Sequence, residues 1–388
     1  MTSLPEGISG ECDERFAAIP RILAEQLATG AHHGVAVAVR HRGEPVVDVW
    51  GGRCGFPGEE SPWTDDTMAV SFSTTKGPAA MALHMVMERS GTDYETPVAE
   101  VWPEFARNGK EAVTIRHVLC HEAGIPQIRD EVADVKDLAD WDAMIAMVEG
   151  LTPLWTPGEQ NGYHAINYGW LVGELVRRID GRRLPQFLAE EISGPLALDG
   201  CYIGTPESEH GRCAPVQSAM DFDENAISQF LPPDSIAWRA LSPAGNMNEF
   251  VNSPAGLATC GPAFTGTFTA RSLAKLYAVL ERGGELDGVR LLSPETIASA
   301  TTVQNDRADL VIFFPIRWRL GFMSGGGDFS PAGPNPNAYG HAGFGGSVAL
   351  VDPDAELSIA VTLDRLQLDL LGGDRTGQVV KAAIAAAH

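Results

Sequence analysis

The apolar positions of this chain change their period twice. Val35-Ala36-Val37-Ala38-Val39 is a continuous β-rich run, Arg42-Gly43 is a turn pair, and Pro45-Val46-Val47-Asp48-Val49-Trp50 returns. Together they predict an antiparallel hairpin. A second hairpin is predicted near the other end. Gly346-Ser347-Val348-Ala349-Leu350-Val351 runs out, Asp352-Pro353-Asp354 turns, and Leu357-Ser358-Ile359-Ala360-Val361-Thr362-Leu363 comes back. Leu320-Gly321-Phe322-Met323 is a further short candidate strand. Gly51 to Thr67 is rich in Gly, Pro and acidic residues and reads as loop.

Elsewhere the period is helical. Asp13 to Leu27 carries Phe16, Ile19, Leu23 and Leu27 on one side, with Pro20 as an expected kink. From about residue 91 to about residue 300 helices dominate, as in Leu138, Trp141, Ile145 and Val148, or Leu171, Leu175, Val176 and Ile179. Ala270 to Arg282 has Thr269 as N-cap and Gly283 as its stop, and Ser293-Pro294 opens another helix. Val379 to Ala387 closes the chain as a helix. Strands at both ends with helices between them predict an α/β (α+β) protein. One antiparallel sheet would be built from both termini, residues 1–76 and 310–388, with a mainly helical domain, 77–309, inserted. The stretches Pro206 to Ala263 and Ser324 to Asn337 are expected to shape the mouth of a cleft between these parts.

Composition narrows the function classes. The 388 residues are 44% hydrophobic and 20% charged, which fits a globular chain. The formal net charge of −23 would repel nucleic acid and anionic membrane surfaces, so neither is expected as a partner. No apolar run reaches the ~18 residues of a membrane span. The start has neither a basic n-region nor an apolar h-region, and a cytoplasmic location is expected. The six cysteines form no C-x-x-C pair, so packed, reduced thiols are expected. Cys120-His121-Glu122 lacks the second histidine of H-E-x-x-H, so no metal site is read there.

The chemistry centres on Ser73-Thr74-Thr75-Lys76. A serine and a lysine three positions apart share one helix face, and the apolar run Ala79 to Met87 predicts a buried helix behind them. A serine hydroxyl needs a neighbour to take its proton, and a lysine can do so once burial lowers its pKa. Two other stretches stand out. Trp155 to Gly169 contains Pro157-Gly158, Asn161-Gly162 and Tyr163, and reads as a loop leading into a helix. Tyr339 to Ser347 is glycine-rich, which lets backbone approach a ligand and aim N–H groups at an oxyanion.

In this order and at these spacings the three stretches resemble the serine β-lactamase and penicillin-binding-protein superfamily. The likeness is greatest to class C β-lactamases and their relatives, the family VIII carboxylesterases. Ser73-Thr74-Thr75-Lys76 matches the first motif in full. Tyr163-His164-Ala165 sits where that family has Tyr-x-Asn, and His341-Ala342-Gly343 where β-lactamases have Lys-Thr-Gly and many of the esterases a His-x-Gly form. Val118 to Pro126 and Leu291 to Thr296 add softer matches.

The resemblance implies that Ser73 is the nucleophile, that Lys76 and Tyr163 act as general base and acid, and that the backbone N–H groups of Ser73 and Phe344 form an oxyanion hole. It implies that His341, Gly343 and Ala165 line the substrate, with no cofactor and no metal. Two departures bear on the substrate. Ala165 cannot donate the amide hydrogen bond of the family's asparagine, and His341 replaces its lysine. Both changes weaken anchoring of anionic β-lactams and D-Ala-D-Ala peptides, so a small uncharged ester is the expected partner. A β-lactamase or D-alanyl-D-alanine peptidase is the alternative. An acyltransferase or a catalytically silent binding protein ranks below it. Oligomeric state is not legible.

Overall fold

The computed structural model describes residues 2–218, 231–327, 330–367 and 373–388. Residues 219–230 and 328–329 of the two expected cleft-mouth stretches lie outside the described residues.

The main sheet joins the two ends of the chain. Its N-terminal strands are β1 (Ile8–Cys12), β2 (Gly34–His41) and β3 (Glu44–Cys54). Its C-terminal strands are β4 (Trp318–Arg319), β5 (Phe322–Ser324), β6 (Tyr339–Ala342), β7 (Val348–Asp352) and β8 (Leu357–Leu363). The order is β1-β3-β2-β8-β7-β6-β5-β4, and every one of these neighbouring pairs is antiparallel. Arg42 (φ 55°) and Gly43 (φ 81°) turn β2 into β3. Left-handed backbone at both positions matches the twist of the flanking strands.

The longest helices among the described residues are α1 (Ala18–Ala28), α2 (Lys76–Ser90), α3 (Asn167–Asp180), α4 (Ala270–Glu281) and α5 (Gly373–Ala387). The central strands bury both faces. The face that carries Ala36, Ala38 and Arg40 of β2 and Ser358, Ala360 and Thr362 of β8 lies under α4, where the Ser358 hydroxyl donates to the Ala274 carbonyl at 2.8 Å. Its small side chains let that helix come close. The valines and Ile359 point the other way, toward α1 and α5, which also pack on each other. α4 belongs to the segment between 77 and 309, so the sheet's helical cover draws on the middle of the chain as well as on its ends. That middle segment also supplies strands: Cys201–Ile203, Gly266–Phe268 and Cys213–Ala214 form a second sheet with Met68–Val70.

Two local expectations are corrected. The Asp13–Leu27 segment is a 3-10 turn, Glu14–Phe16, followed by α1. Pro20 sits in the first turn of α1, where no N–H is required, so there is no kink. Leu320-Gly321 is the reversal between β4 and β5 rather than the start of a strand, with Gly321 at φ 84°. Caps fall where side-chain chemistry puts them. Thr269 accepts from Ser272 N, Ser293 accepts from Thr296 N, and Gly283 follows α4 at φ 70°. No helix among the described residues is long and apolar enough to cross a membrane.

Candidate active site

Ser73 lies in a 3-10 turn, Phe72–Thr75, between the strand Met68–Val70 and α2. Residues i and i+3 eclipse in such a turn, which stacks Lys76 over Ser73. Phe72 holds φ at 43°, an unusual conformation for a bulky residue, immediately before the serine. The turn is pinned from two sides. Ser71 N donates to Gly266 O at 2.8 Å, and Ser71 O accepts from Thr74 N at 3.1 Å and from the Ser347 hydroxyl at 2.8 Å.

Lys76 is fully buried at the head of α2. Its Nζ lies 3.1 Å from Ser73 Oγ, 2.8 Å from Ala165 O and 3.1 Å from Ala263 O. Two of these three partners are carbonyl oxygens, which only accept. A neutral amine has two N–H bonds and one lone pair. With the amine neutral, its two N–H bonds go to the carbonyls and its lone pair faces the serine hydroxyl. Burial favours that charge state by holding the Lys76 pKa well below the usual lysine value.

Tyr163 stands on the other side of the serine. Its hydroxyl hydrogen-bonds Ser73, and its ring centroid is 4.7 Å from Lys76 Nζ. Burial raises its pKa above that of an ordinary tyrosine, outweighing the Ser73 hydrogen bond. Desolvation thus acts on both groups in the same sense, disfavouring the ammonium of Lys76 and the phenolate of Tyr163.

His341 is buried on β6, with its ring stacked 6.2 Å from that of Tyr163. Its Nδ1 lies 2.8 Å from Ala342 O, so Nδ1 carries the proton and Nε2 is an acceptor with no protein partner. Burial pushes its pKa down to about 3. Gly343 follows and touches the nucleophile's turn. A Cβ there would lie 2.1 Å from Ser71 O and 2.2 Å from Ser347 Oγ. Phe344 comes next, its ring edge-to-face with Phe72 at 6.0 Å. Ala165 contributes its carbonyl, held by Lys76. All seven residues singled out in the sequence thus gather around one turn of chain.

Others were not legible. Asp309 is buried. Its Oδ1 accepts from Tyr163 N at 3.0 Å, Val311 N at 2.8 Å and Ile312 N at 3.0 Å, and its Oδ2 from Asn161 Nδ2 at 3.2 Å. It thereby fixes the backbone that carries Tyr163. Trp318 on β4 stacks on Tyr163 at 5.7 Å and 10°. His121 packs against Tyr163 at 4.8 Å and accepts from His164 N. No local pattern marks these partners, since they come from segments more than 40 positions away from Tyr163 in either direction.

Cys120-His121-Glu122 goes three ways. Cys120 is buried in the core and His121 faces the site. Glu122 is buried, pairs with Arg116 at 2.6 Å and accepts from Asn305 at 3.0 Å. No group of His, Cys, Asp or Glu among the described residues is arranged to hold a metal ion. All six cysteines are free thiols.

Asp309→Ala removes the acceptor for three backbone N–H groups at once. The expected loss is about 2–4 kcal/mol of unfolding free energy, with a smaller loss for Asp309→Asn, which keeps one carbonyl oxygen. Urea denaturation of both variants measures it, and equal stability of Asp309→Ala and the parent would show that the hub carries no net energy.

A sequence model of the Beta-lactamase family matches residues 19–383. The chain is 33% identical over 384 residues to the "Esterase/beta-lactamase LipL" of Mycobacterium tuberculosis (strain ATCC 25618 / H37Rv), covering 96% of this chain and 86% of that one. Among solved structures it is similar to a penicillin-binding protein homolog from Caulobacter crescentus. The TM-score is 0.86, the identity 36%, and the coverage 98% of this chain and 99% of that one. It is also similar to a family VIII carboxylesterase, with a TM-score of 0.88, 33% identity, and coverage of 98% and 99%.

Proposed function

The chain belongs to the β-lactamase family of hydrolases, with the β-lactamase/transpeptidase-like fold, and from that premise we propose that it is a serine carboxylesterase. It hydrolyses small uncharged carboxylic esters through an acyl-Ser73 intermediate. One observation carries the reading: Lys76 Nζ, buried, held by two carbonyls and with its pKa lowered by burial, lies 3.1 Å from Ser73 Oγ, placed to take its proton as the neutral amine.

The steps follow from that protonation state. Lys76 Nζ takes the proton of Ser73 as Oγ attacks the ester carbonyl carbon. The developing oxyanion is met by the backbone N–H groups of Ser73 and Phe344, the latter on the turn that the close Gly343 approach seats against the nucleophile's turn. As the carbon–oxygen bond breaks, Tyr163 gives its proton to the leaving alkoxide, and the proton held on Lys76 restores the phenol. Water then attacks the acyl carbon, releasing the carboxylic acid and returning the proton to Ser73.

The preference for uncharged substrates is supported by His341. An anionic β-lactam needs a cation near its carboxylate. An imidazole with a pKa of about 3 is uncharged at neutral pH, and its unpartnered Nε2 presents a lone pair rather than a donor. Ala165, in the place of the family's amide side chain, offers a methyl group. The "Esterase/beta-lactamase" description of the Mycobacterium relative and the family VIII carboxylesterase likeness agree with this reading.

The test sets p-nitrophenyl acetate and butyrate against the chromogenic cephalosporin nitrocefin, with Ser73→Ala as control. Ester turnover at least 100-fold above nitrocefin opening, both lost in Ser73→Ala, is expected. Cephalosporin opening as fast as the better ester would replace this reading with a β-lactamase. Ester product appearing on an added alcohol would add acyltransfer.

A further inference from the structure

Residues 310–314 are Leu-Val-Ile-Phe-Phe, five apolar residues in a row, and none of them is buried. Phe313 is 61% exposed, and Phe56 is the other large hydrophobic side chain among the described residues with comparable exposure. A run of this composition ordinarily goes inside a strand or a core helix. Here the chain folds it back as a tight loop. Phe313 N donates to Asp309 O at 3.0 Å, Asp309 N to Phe314 O at 3.3 Å, and Ala308 bridges Pro315. Phe313 holds φ at 62°, a strained conformation for an aromatic residue. Backbone strain and a hub of hydrogen bonds thus hold apolar side chains partly in water.

The loop is tied to the reaction centre. The Asp309 oxygen that caps Val311 and Ile312 also caps the Tyr163 backbone. Leu310 N donates to Asn161 O at 3.0 Å, and a Cβ on Gly162 would meet the Trp155 ring at 2.8 Å and Leu310 Cβ at 3.4 Å. Trp155, half-buried, and Leu310 therefore flank the residue next to Tyr163, and the Tyr163 hydroxyl bonds Ser73.

We propose that this loop, with Trp155, is the seat for an extended apolar group of the substrate, so that the enzyme prefers esters bearing a medium-length alkyl or aryl group over acetates. The occupant is the substrate rather than a second protein because the loop is tied by Leu310 N to Asn161 O and by Asp309 to the backbone of Tyr163, the residue whose hydroxyl bonds Ser73. The inference rests on the esterase reading for its substrate class but not for its test.

The experiment compares Ser73 labelling by p-nitrophenyl ethylphosphonate and p-nitrophenyl octylphosphonate. Ser73 Oγ bonds to phosphorus and p-nitrophenolate leaves, so no ester turnover is required. The parent should react faster with the octyl reagent, and Phe313→Ser should lower the octyl-to-ethyl rate ratio about tenfold, the scale of one exposed aromatic contact. Ile312→Ser, read in the same way, serves should Phe313→Ser not fold. A ratio unchanged in both variants overturns the proposal. So does an unchanged ratio accompanied by dissociation of an oligomer in light scattering, which would make the patch a contact between copies. Butyrate turnover, measured alongside, reports on the esterase reading separately, since the labelling ratio retains its meaning without it.

Discussion

Lys76→Met should lower kcat/KM for p-nitrophenyl butyrate about 10³-fold, within the range of a lost general base. Lys76→Arg should fare no better. A guanidinium keeps the positive charge but has no lone pair at accessible pH, so it separates a base from a mere counter-ion. Ser73 in both variants should label slowly with phosphonates, while the far-ultraviolet circular dichroism stays that of the parent. The pH profile carries the sign. Burial lowers the Lys76 pKa, so the active neutral amine predominates down to pH values well below the ordinary lysine range. Activity should therefore rise with pH along an acid limb below that range. It should then stay level toward pH 10, because burial also keeps Tyr163 protonated there. An acid limb near the ordinary lysine value of ~10.4, or full activity in Lys76→Arg, would remove Lys76 from the role of base.

Gly343→Ala is the second large effect. The added methyl would sit 2.1 Å from Ser71 O and 2.2 Å from Ser347 Oγ, both far inside van der Waals contact. The backbone carbonyl cannot swing away, because it accepts from Thr74 N and holds the turn that carries Ser73. The turn after β6 must therefore retreat from the nucleophile and take the Phe344 N–H with it. Loss of one oxyanion donor costs about 10²–10³ in kcat. Overpacking adds about 1–3 kcal/mol of destabilisation. Steady-state kinetics and thermal melting measure the two parts. Adding Ser347→Gly removes one clash but not the carbonyl, so it should not rescue activity. A Gly343→Ala enzyme with parental kcat would mean that the two turns are not rigidly opposed.

Some elements were legible because their causes are local. The β2–β3 hairpin follows from β-rich runs on either side of Arg42-Gly43, where Gly43 takes a positive φ at no steric cost. α4 follows from an apolar stripe bounded by Thr269 and Gly283. Pro20 misled because proline breaks a helix interior but suits its first turn, and where α1 begins is decided by its docking against β3 and α5.

For the site, the sequence determined by itself that a serine and a lysine stand one turn apart, because that distance is a property of backbone dihedrals and needs no partner. It also placed Tyr163 and His341-Ala342-Gly343 in loop and strand-edge settings and brought them together by resemblance. Only the tertiary structure decided what those groups are chemically. Burial takes Lys76 away from the water that would stabilise its charge and lowers its pKa, which favours the neutral amine that the proposed mechanism needs. His341 is neutral because it is buried, and Tyr163 is held in place by an aspartate 146 positions away. Charge state and orientation depend on desolvation and on distant hydrogen-bond partners, and no local spacing in a sequence encodes either.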